Sequence, residues 1–372
     1  MMQQAAIGLG VHIRLLAEGP DVSAAQVVTD HLVGDYADLD TLRRAVADAP
    51  VVTFDHEHVP PEHLATLQSE GHTPRPGPHA LLFAQDKAEM RTRLAELDIP
   101  CPRNAPIASE ADLDRFAVSI GGYPVVLKTA RGGYDGKGVW IVSAAEDADE
   151  AFASGRRLIA EEKVDFVREL SALVARSPSG ETRAYPVVES RQVDGVCKEV
   201  IAPAPDLDAG LAESARDIAA TIARELDVTG ILAVELFETR DGRILVNELA
   251  MRPHNTGHWT IDGAHTSQFE NHIRAVLDLP LGPTESRQPW AVMVNILGGS
   301  VEDLVAQTAI VLRAEPVVKV HLYGKDVKSG RKVGHVTAVG DDLAAVQHSA
   351  RRAAQLFEDS ALKDSALKGR VK

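Results

Sequence analysis

The stretch VELFETRDGRILVNEL, residues 234 to 249, constrains this chain more than any other. Asp241-Gly242 between two apolar runs signals a two-residue hairpin turn. With the turn centred there, paired residue numbers sum to 483, so Glu235 and Glu248 face each other across the ladder. Like charges directly opposite destabilise a sheet, so a strand pair that keeps them is expected to hold a cation between them. Two hard carboxylates suit Mg²⁺ (or Mn²⁺), which binds through one or two carboxylates plus substrate phosphates. The neighbours Leu232, Ala233 and Leu249 make the strands read as buried, which argues against a pair of solvated glutamates.

A second stretch, KTARGGYDGKG at 128 to 138, places Lys128 at the end of an apolar run and then four glycines within seven positions. Backbone N–H groups reach an anion only where side chains are absent, so the loop reads as a phosphate cradle. It is not a P-loop, which would run from strand into helix. Here VWIV continues as a second strand, making a hairpin tip that can fold over phosphates as a lid. Taken alone, the loop is equally an ordinary glycine turn.

Between these motifs the organisation is α/β at first. GVHIRLLAEG reads as a strand, DLDTLRRAVADA as a capped helix, PVVTFDHEHVP as a buried strand with a polar end, and PPEHLATLQSEG as a proline-started helix. From AQDKAEMRTRLAELDIP onward the pattern becomes a helix, a proline break and hairpin-like pairs, an α+β grammar. The expected divisions are a small parallel-sheet α/β domain over 1–84, a second domain over 85–284 with a lid subdomain at about 100–160, a linker near GPTESRQP, a small C-terminal domain over 285–356, and a disordered tail over 357–372. A length of 372 residues at 45% hydrophobic content supports that number of cores.

The net charge of −15 repels nucleic-acid backbones and anionic membranes, so neither is an expected partner. It also makes the cluster Lys325, Lys328, Arg331, Lys332 conspicuous. Cys101 and Cys197 lack disulfide or zinc spacing and read as buried thiols in a reducing cytoplasm.

The glycine lid and the glutamate hairpin together resemble the ATP-grasp superfamily, in which nucleotide lies between two such sheets. NELAMRPHNTGHWT, RGGYDGKG, DHEHVP and GRKVGH, taken in their positions along the chain, are similar to the N5-carboxyaminoimidazole ribonucleotide synthases, ATP-dependent carboxylases of purine biosynthesis. The resemblance implies an ATP-grasp fold behind a Rossmann-like pre-ATP-grasp domain, and a cytoplasmic homodimer. It implies that ATP phosphorylates bicarbonate to carboxyphosphate, whose carboxyl group is captured by the amine of 5-aminoimidazole ribonucleotide. For ATP it implies Lys87 and Lys128 on the phosphates, Gly133, Tyr134, Asp135, Gly136, Lys137 and Gly138 as the lid, Glu161 and Val164 at the adenine hinge, Glu169 on the ribose, and Asn247 beside the metal ligands Glu235 and Glu248. Arg252, His254 and Asn255 would hold bicarbonate and the reacting amine; Glu57, Lys325, Arg331 and Lys332 would hold the ribonucleotide.

Family members open with a strand and a glycine-rich turn, and this chain begins at Met1-Met2 where that turn would be ending. MMQQAAIGLG then reads as the following helix, and the first sheet is expected to show open ladder edges. The expectation is a start downstream of the true one, or a truncation. Two other functions stay open from the sequence: a ligase or transformylase acting on another purine intermediate, and a catalytically dead nucleotide binder.

Overall fold

A computed structural model of the chain describes residues 1–133 and 137–362. The first unit opens with a helix, Met2–Leu9, that stops at Gly10, whose φ of 67° is a left-handed conformation open to glycine. Strands β1 (Leu15–Ala17) and β2 (His31–Val33) pair in parallel. Helix Leu39–Val46 starts where the Asp38 carboxylate accepts the Thr41 N–H at 3.0 Å, and helix Pro61–Ser69 starts on its proline.

Two expected strands are shorter or absent in the structure. GVHIRLLAEG contributes only the three residues of β1. PVVTFDHEHVP forms no strand: Val52 makes a single bridge to Pro74, which has no N–H to extend a ladder, and no strand lies beside residues 53–58 among the described residues. Side chains hold that segment instead. Thr53 Oγ1 lies 2.7 Å from His272 Nε2, and the Gln85 amide donates to the Glu57 carbonyl at 2.7 Å.

Helix Lys87–Glu96 follows, capped by Asp86, whose Oδ1 accepts the N–H groups of Ala88 and Glu89. Strands β3 (Asn104–Ile107), β4 (Val125–Thr129), β5 (Val139–Val142) and β6 (Leu158–Glu162) form a sheet in the order β3-β6-β4-β5. Helix Glu110–Ile120 buries Leu113, Phe116 and Ala117 against it. β4 and β5 pair antiparallel around the glycine loop, as expected for the hairpin.

The larger sheet comprises β7 (Phe166–Arg176), β8 (Thr182–Ala184), β9 (Val188–Val193), β10 (Val196–Ala202), β11 (Gly230–Thr239), β12 (Ile244–Ala250), β13 (Trp290–Leu297), β14 (Lys319–Leu322) and β15 (Lys332–Gly340). Its order is β12-β11-β7-β9-β10-β13-β15-β14, with β8 on β7. Helix Ala209–Glu225 covers one face through Ala215, Ala219 and Ile222, packed with Leu232 and Val234. β13 pairs with β10, so the sheet runs unbroken past the position of the expected linker.

The hairpin carrying the glutamates is not the two-residue turn the sequence predicts. Thr239 N–H donates to the Arg243 carbonyl and Gly242 sits at φ 75°, so Arg240–Gly242 is a three-residue loop. Near the turn the paired numbers therefore sum to 482, as in Glu238↔Ile244. A bulge inserts Asn247 as an extra residue and restores Glu235↔Glu248. The facing glutamates are present, but the bulge puts them there.

The C-terminal helix Leu343–Glu358 buries Phe357 and ends with Glu358 accepting the Leu297 N–H at 2.7 Å. A short turn covers Ser360–Leu362, so the start of the expected tail is packed structure, and its remainder, residues 363–372, lies outside the described residues. Cys197 is buried, Cys101 is half-buried and both are free thiols, and no described helix is long and apolar enough to cross a membrane.

Candidate active site

The two sheets meet where β4 and β6 approach β12. Lys128, on β4, places Nζ 2.7 Å from the Glu161 carboxylate on β6 and 3.2 Å from Asn247 Oδ1 in the bulge. Arg91, buried in the helix that starts at Lys87, donates to Glu161 at 2.8 Å, to the Val246 carbonyl at 2.8 Å and to the Asn247 carbonyl at 2.7 Å. Burial would raise the Glu161 pKa, but Arg91 and then Lys128 outweigh it and hold the carboxyl below the usual carboxylate range. The Glu161 side chain is thus the counter-ion that aims Lys128. Val164 lies in the connection between β6 and β7, where one sheet passes into the other.

Lys87 Nζ lies 2.7 Å from Glu248 Oε1, and its backbone N–H donates to the Ala130 carbonyl at 2.8 Å. Next to it the buried Asp86 binds Arg131 at 2.7 Å and Arg157 at 2.9 Å, pinning the base of the glycine loop. In that loop a Cβ at Gly133 would sit 2.7 Å from the Lys137 carbonyl, and one at Gly138 2.7 Å from Thr129 Oγ1. Both glycines are required by this close approach. Tyr134, Asp135 and Gly136 lie outside the described residues.

Glu235 is pushed up in pKa by burial first, then by the Glu248 and Glu169 carboxylates; burial also raises Glu169, on β7 opposite Phe237. Among the described residues no cluster of three or more His, Cys, Asp and Glu side chains is arranged to hold a metal. What the chain offers is two facing carboxylates and the Asn247 amide oxygen. That set fits a hard cation such as Mg²⁺, which keeps its other positions for phosphate oxygens and water. Because protonated Glu235 cannot ligate, Mn²⁺ affinity is expected to rise with pH through and above the ordinary carboxylate range. Mn²⁺ titration followed by electron paramagnetic resonance at several pH values checks this, and a flat profile would contradict it.

Beyond β12 the chain crosses the floor of the site. Met251 N–H donates to Glu57 Oε1 at 3.0 Å and Arg252 Nε to Glu57 Oε2 at 2.7 Å. The unpaired segment 53–58 therefore still delivers Glu57 to the site. His254 Nε2 lies 3.4 Å from Glu235 Oε1, and burial, then Arg252 and His258, lower its pKa well below the ordinary value. Asn255 begins a short turn to Gly257 that His254 caps. His258, expected to be structural, is buried against Phe269.

The basic cluster borders this floor from the C-terminal strands. Lys325 Nζ lies 5.4 Å from the Tyr323 ring centroid, and burial, then Arg331, lower its pKa, with Lys332 adding to the effect. Lys332, the first residue of β15, adds positive charge that opposes the rise at Glu235 and helps lower His254. Lys325, Lys328 and Arg331 are all exposed. Gly330 turns at φ 72°, and Gly298 at the end of β13 exchanges backbone bonds with Arg331 and Gly330 at 2.8 and 3.0 Å. A Cβ at Gly298 would collide with the Lys328 carbonyl. Gly298→Ala is expected to displace this loop and raise KM for a phosphorylated ligand severalfold while leaving KM for ATP unchanged; steady-state kinetics checks it.

Sequence reasoning missed Arg91, Asp86, Ser171, Thr256 and Gln268. Arg91 alone left a signal, a charge beside Met90 on the face of the helix that also carries Leu94. The others are ordinary polar residues until the fold brings them together.

Three family models match in succession: the ribonucleotide synthetase preATP-grasp domain over 1–85, the ATP-grasp domain over 92–269, and the phosphoribosylaminoimidazole carboxylase C-terminal domain over 291–349. The chain is 51% identical to the N5-carboxyaminoimidazole ribonucleotide synthase of Corynebacterium ammoniagenes, covering 98% of this chain and 91% of the relative. The crystal structure of the Thermus thermophilus synthetase superposes with a TM-score of 0.87 at 38% identity, covering 96% of each chain. The Aspergillus clavatus enzyme, solved with ADP and 5-aminoimidazole ribonucleotide, gives a TM-score of 0.87 at 30% identity over 96% of this chain and 95% of that one. With its three matched segments in order and half its residues shared with a relative of almost equal extent, the chain belongs to the N5-carboxyaminoimidazole ribonucleotide synthase family of ATP-grasp enzymes.

Proposed function

We propose that this chain carboxylates 5-aminoimidazole ribonucleotide to N5-carboxyaminoimidazole ribonucleotide at the expense of ATP and bicarbonate, releasing ADP and phosphate. The observation that carries the reading is the convergence of Lys87, Lys128, Glu235 and Glu248 with Arg252 and His254 at one junction of two sheets. Phosphoryl transfer is mainly positioning and charge neutralisation, and these residues are the groups it needs.

In this reading ATP lies between the sheets, with Lys87 and Lys128 on its phosphates, Gly133 and Gly138 beside them, the backbone between Glu161 and Val164 against the base and Glu169 on the ribose. A cation bound at Glu235 and Glu248 would neutralise phosphate charge. Arg252, His254 and Asn255 hold bicarbonate as its oxygen attacks the γ-phosphorus and ADP leaves. The ribonucleotide, held by Glu57, Lys325, Arg331 and Lys332, then presents its amine to the carboxyl carbon of carboxyphosphate; the C–O bond to phosphate breaks and the amine loses a proton. A cytoplasmic homodimer belongs to the same reading.

The test is ADP release by the purified chain with Mg-ATP and bicarbonate, with and without 5-aminoimidazole ribonucleotide. Stimulation by the ribonucleotide is expected. ATP binding without stimulated turnover would favour the dead binder, and stimulation by a different purine intermediate alone would favour another ligase.

A further inference from the structure

We infer that Gln268 and Thr256 are positioning residues that hold His254 as one fixed neutral tautomer, with its Nε2–H aimed toward Glu235 and the reacting groups. The inference deepens the reading above, since it takes His254 to face the reacting anion.

His254 lies outside any strand, in a stretch whose backbone polar groups have no ladder to join. Gln268, the first residue of helix Gln268–Val276 and fully buried, supplies both partners. Its Oε1 accepts the His254 N–H at 2.8 Å, and its Nε2 donates to the His254 carbonyl at 2.7 Å. The same amide nitrogen lies 3.0 Å from His258 Nδ1, which must accept from it. Gln268 is itself fixed, its backbone N–H donating to Thr260 Oγ1 at 2.8 Å while that hydroxyl donates to the Gly257 carbonyl at 2.6 Å. A Cβ at Gly257 would collide with Gln268 Oε1 and Leu173, so the glycine of HNTGHW leaves the space the clamp occupies.

The ring is held from its other side. Thr256 N–H donates to His254 Nδ1 at 3.4 Å, and Thr256 Oγ1 lies 2.8 Å from the same nitrogen. Ser171 Oγ lies 2.8 Å from Thr256 Oγ1, and both hydroxyls are buried. A backbone N–H cannot accept, so Nδ1 must, and in a neutral ring the proton then resides on Nε2. The Thr256 hydroxyl completes the chain by donating to Nδ1 and accepting from Ser171. His254 therefore meets a small reacting anion as a hydrogen-bond donor and not as a base at Nε2.

The test uses the full chain with ¹⁵N-labelled histidine. Long-range ¹H–¹⁵N spectra report which ring nitrogen carries the proton, and His254→Gln identifies the signal by its loss. The Nε2–H tautomer is expected in the wild type. Thr256→Val, close to isosteric, removes the hydroxyl and leaves only the backbone N–H, at 3.4 Å, on Nδ1, so the ring should lose its fixed direction, broadening its nitrogen signals and lowering the ribonucleotide-stimulated kcat by about 10²-fold, the scale of a misplacement of about 1 Å, with KM for ATP unchanged. Thr256→Ser should restore both, and Gln268→Leu should lower kcat on the same scale. An Nδ1–H tautomer in the wild type, or unchanged kcat in Thr256→Val, would overturn the inference. So would a loss confined to KM or to thermal stability. The spectrum reads the tautomer whatever the substrate, so a failure here is separable from a failure of the proposed reaction.

Discussion

Glu248→Gln is expected to lower ribonucleotide-stimulated ADP release by at least about 10²–10³-fold, the usual effect of removing one transition-state stabilising group. The substitution keeps shape and removes charge, and that charge has two roles at this junction. It is one of the two carboxylates suited to a divalent cation, and it is the counter-ion 2.7 Å from Lys87. Without it Glu235 loses a neighbouring carboxylate that raises its pKa, so Glu235 should titrate lower and the pH dependence of Mn²⁺ affinity should shift down with it. The fold should survive, since the Glu248 side chain is 37% accessible and the bulge is held by Arg91 through backbone carbonyls. ADP assays beside thermal melts check both halves. Near-normal turnover would remove Glu248 from the mechanism.

Arg91→Leu is expected to be the most destabilising of these substitutions. The guanidinium is buried, and it both neutralises Glu161 and seals the two carbonyls at the bulge. Removing one partner of a buried ion pair costs about 3–5 kcal/mol when the other charge is left unpaired; Lys128 still pairs with Glu161 at 2.7 Å, so the loss is expected toward the lower end of that range. Urea unfolding, with the midpoint falling at constant slope, measures it. The pH dependence carries a sign. The Glu161 pKa is depressed in the folded chain, so its contribution is present above the ordinary carboxylate value and is lost as pH falls through the folded value. In Arg91→Leu the acid limb of the stability profile should move to higher pH, because Lys128 alone then opposes burial. The bulge should loosen too, spoiling the alignment of Asn247 and Glu248, so kcat should fall alongside stability. A variant as stable as the wild type would show that this buried triad does not hold the sheets together.

What the sequence makes legible follows periodicity and motif. The hairpin around the glycine loop is visible because Lys128, the glycines and VWIV mark two strands and a tip. Glu235 and Glu248 emerge as partners, although the pairing rests on a bulge at Asn247 that no turn rule anticipates. PVVTFDHEHVP carries a strand's apolar pattern but has no ladder partner in the described structure; hydrophobicity specifies which side chains are buried and leaves open what lies alongside. The partners of Arg91 and Gln268 are illegible for a different reason, even though a charge on a buried helix face marks Arg91. Their roles depend on contacts 70 and 14 residues away, which spacing along a helix does not encode. The same holds at the C-terminal end, where a linker-like composition at GPTESRQP gives no sign that β13 continues the sheet of β10.

In the proposed reaction ATP activates bicarbonate before the ribonucleotide amine captures it. Turnover with ¹⁸O-labelled bicarbonate, followed by mass analysis of the inorganic phosphate, separates this order of events from plain ATP hydrolysis. Carboxyphosphate carries a bicarbonate oxygen bridging carbon and phosphorus, so breaking its C–O bond should leave ¹⁸O in phosphate in step with ribonucleotide-dependent ADP release. Phosphate whose new oxygen comes only from water would mean that ATP is hydrolysed without activating bicarbonate, and would rule out carboxyphosphate.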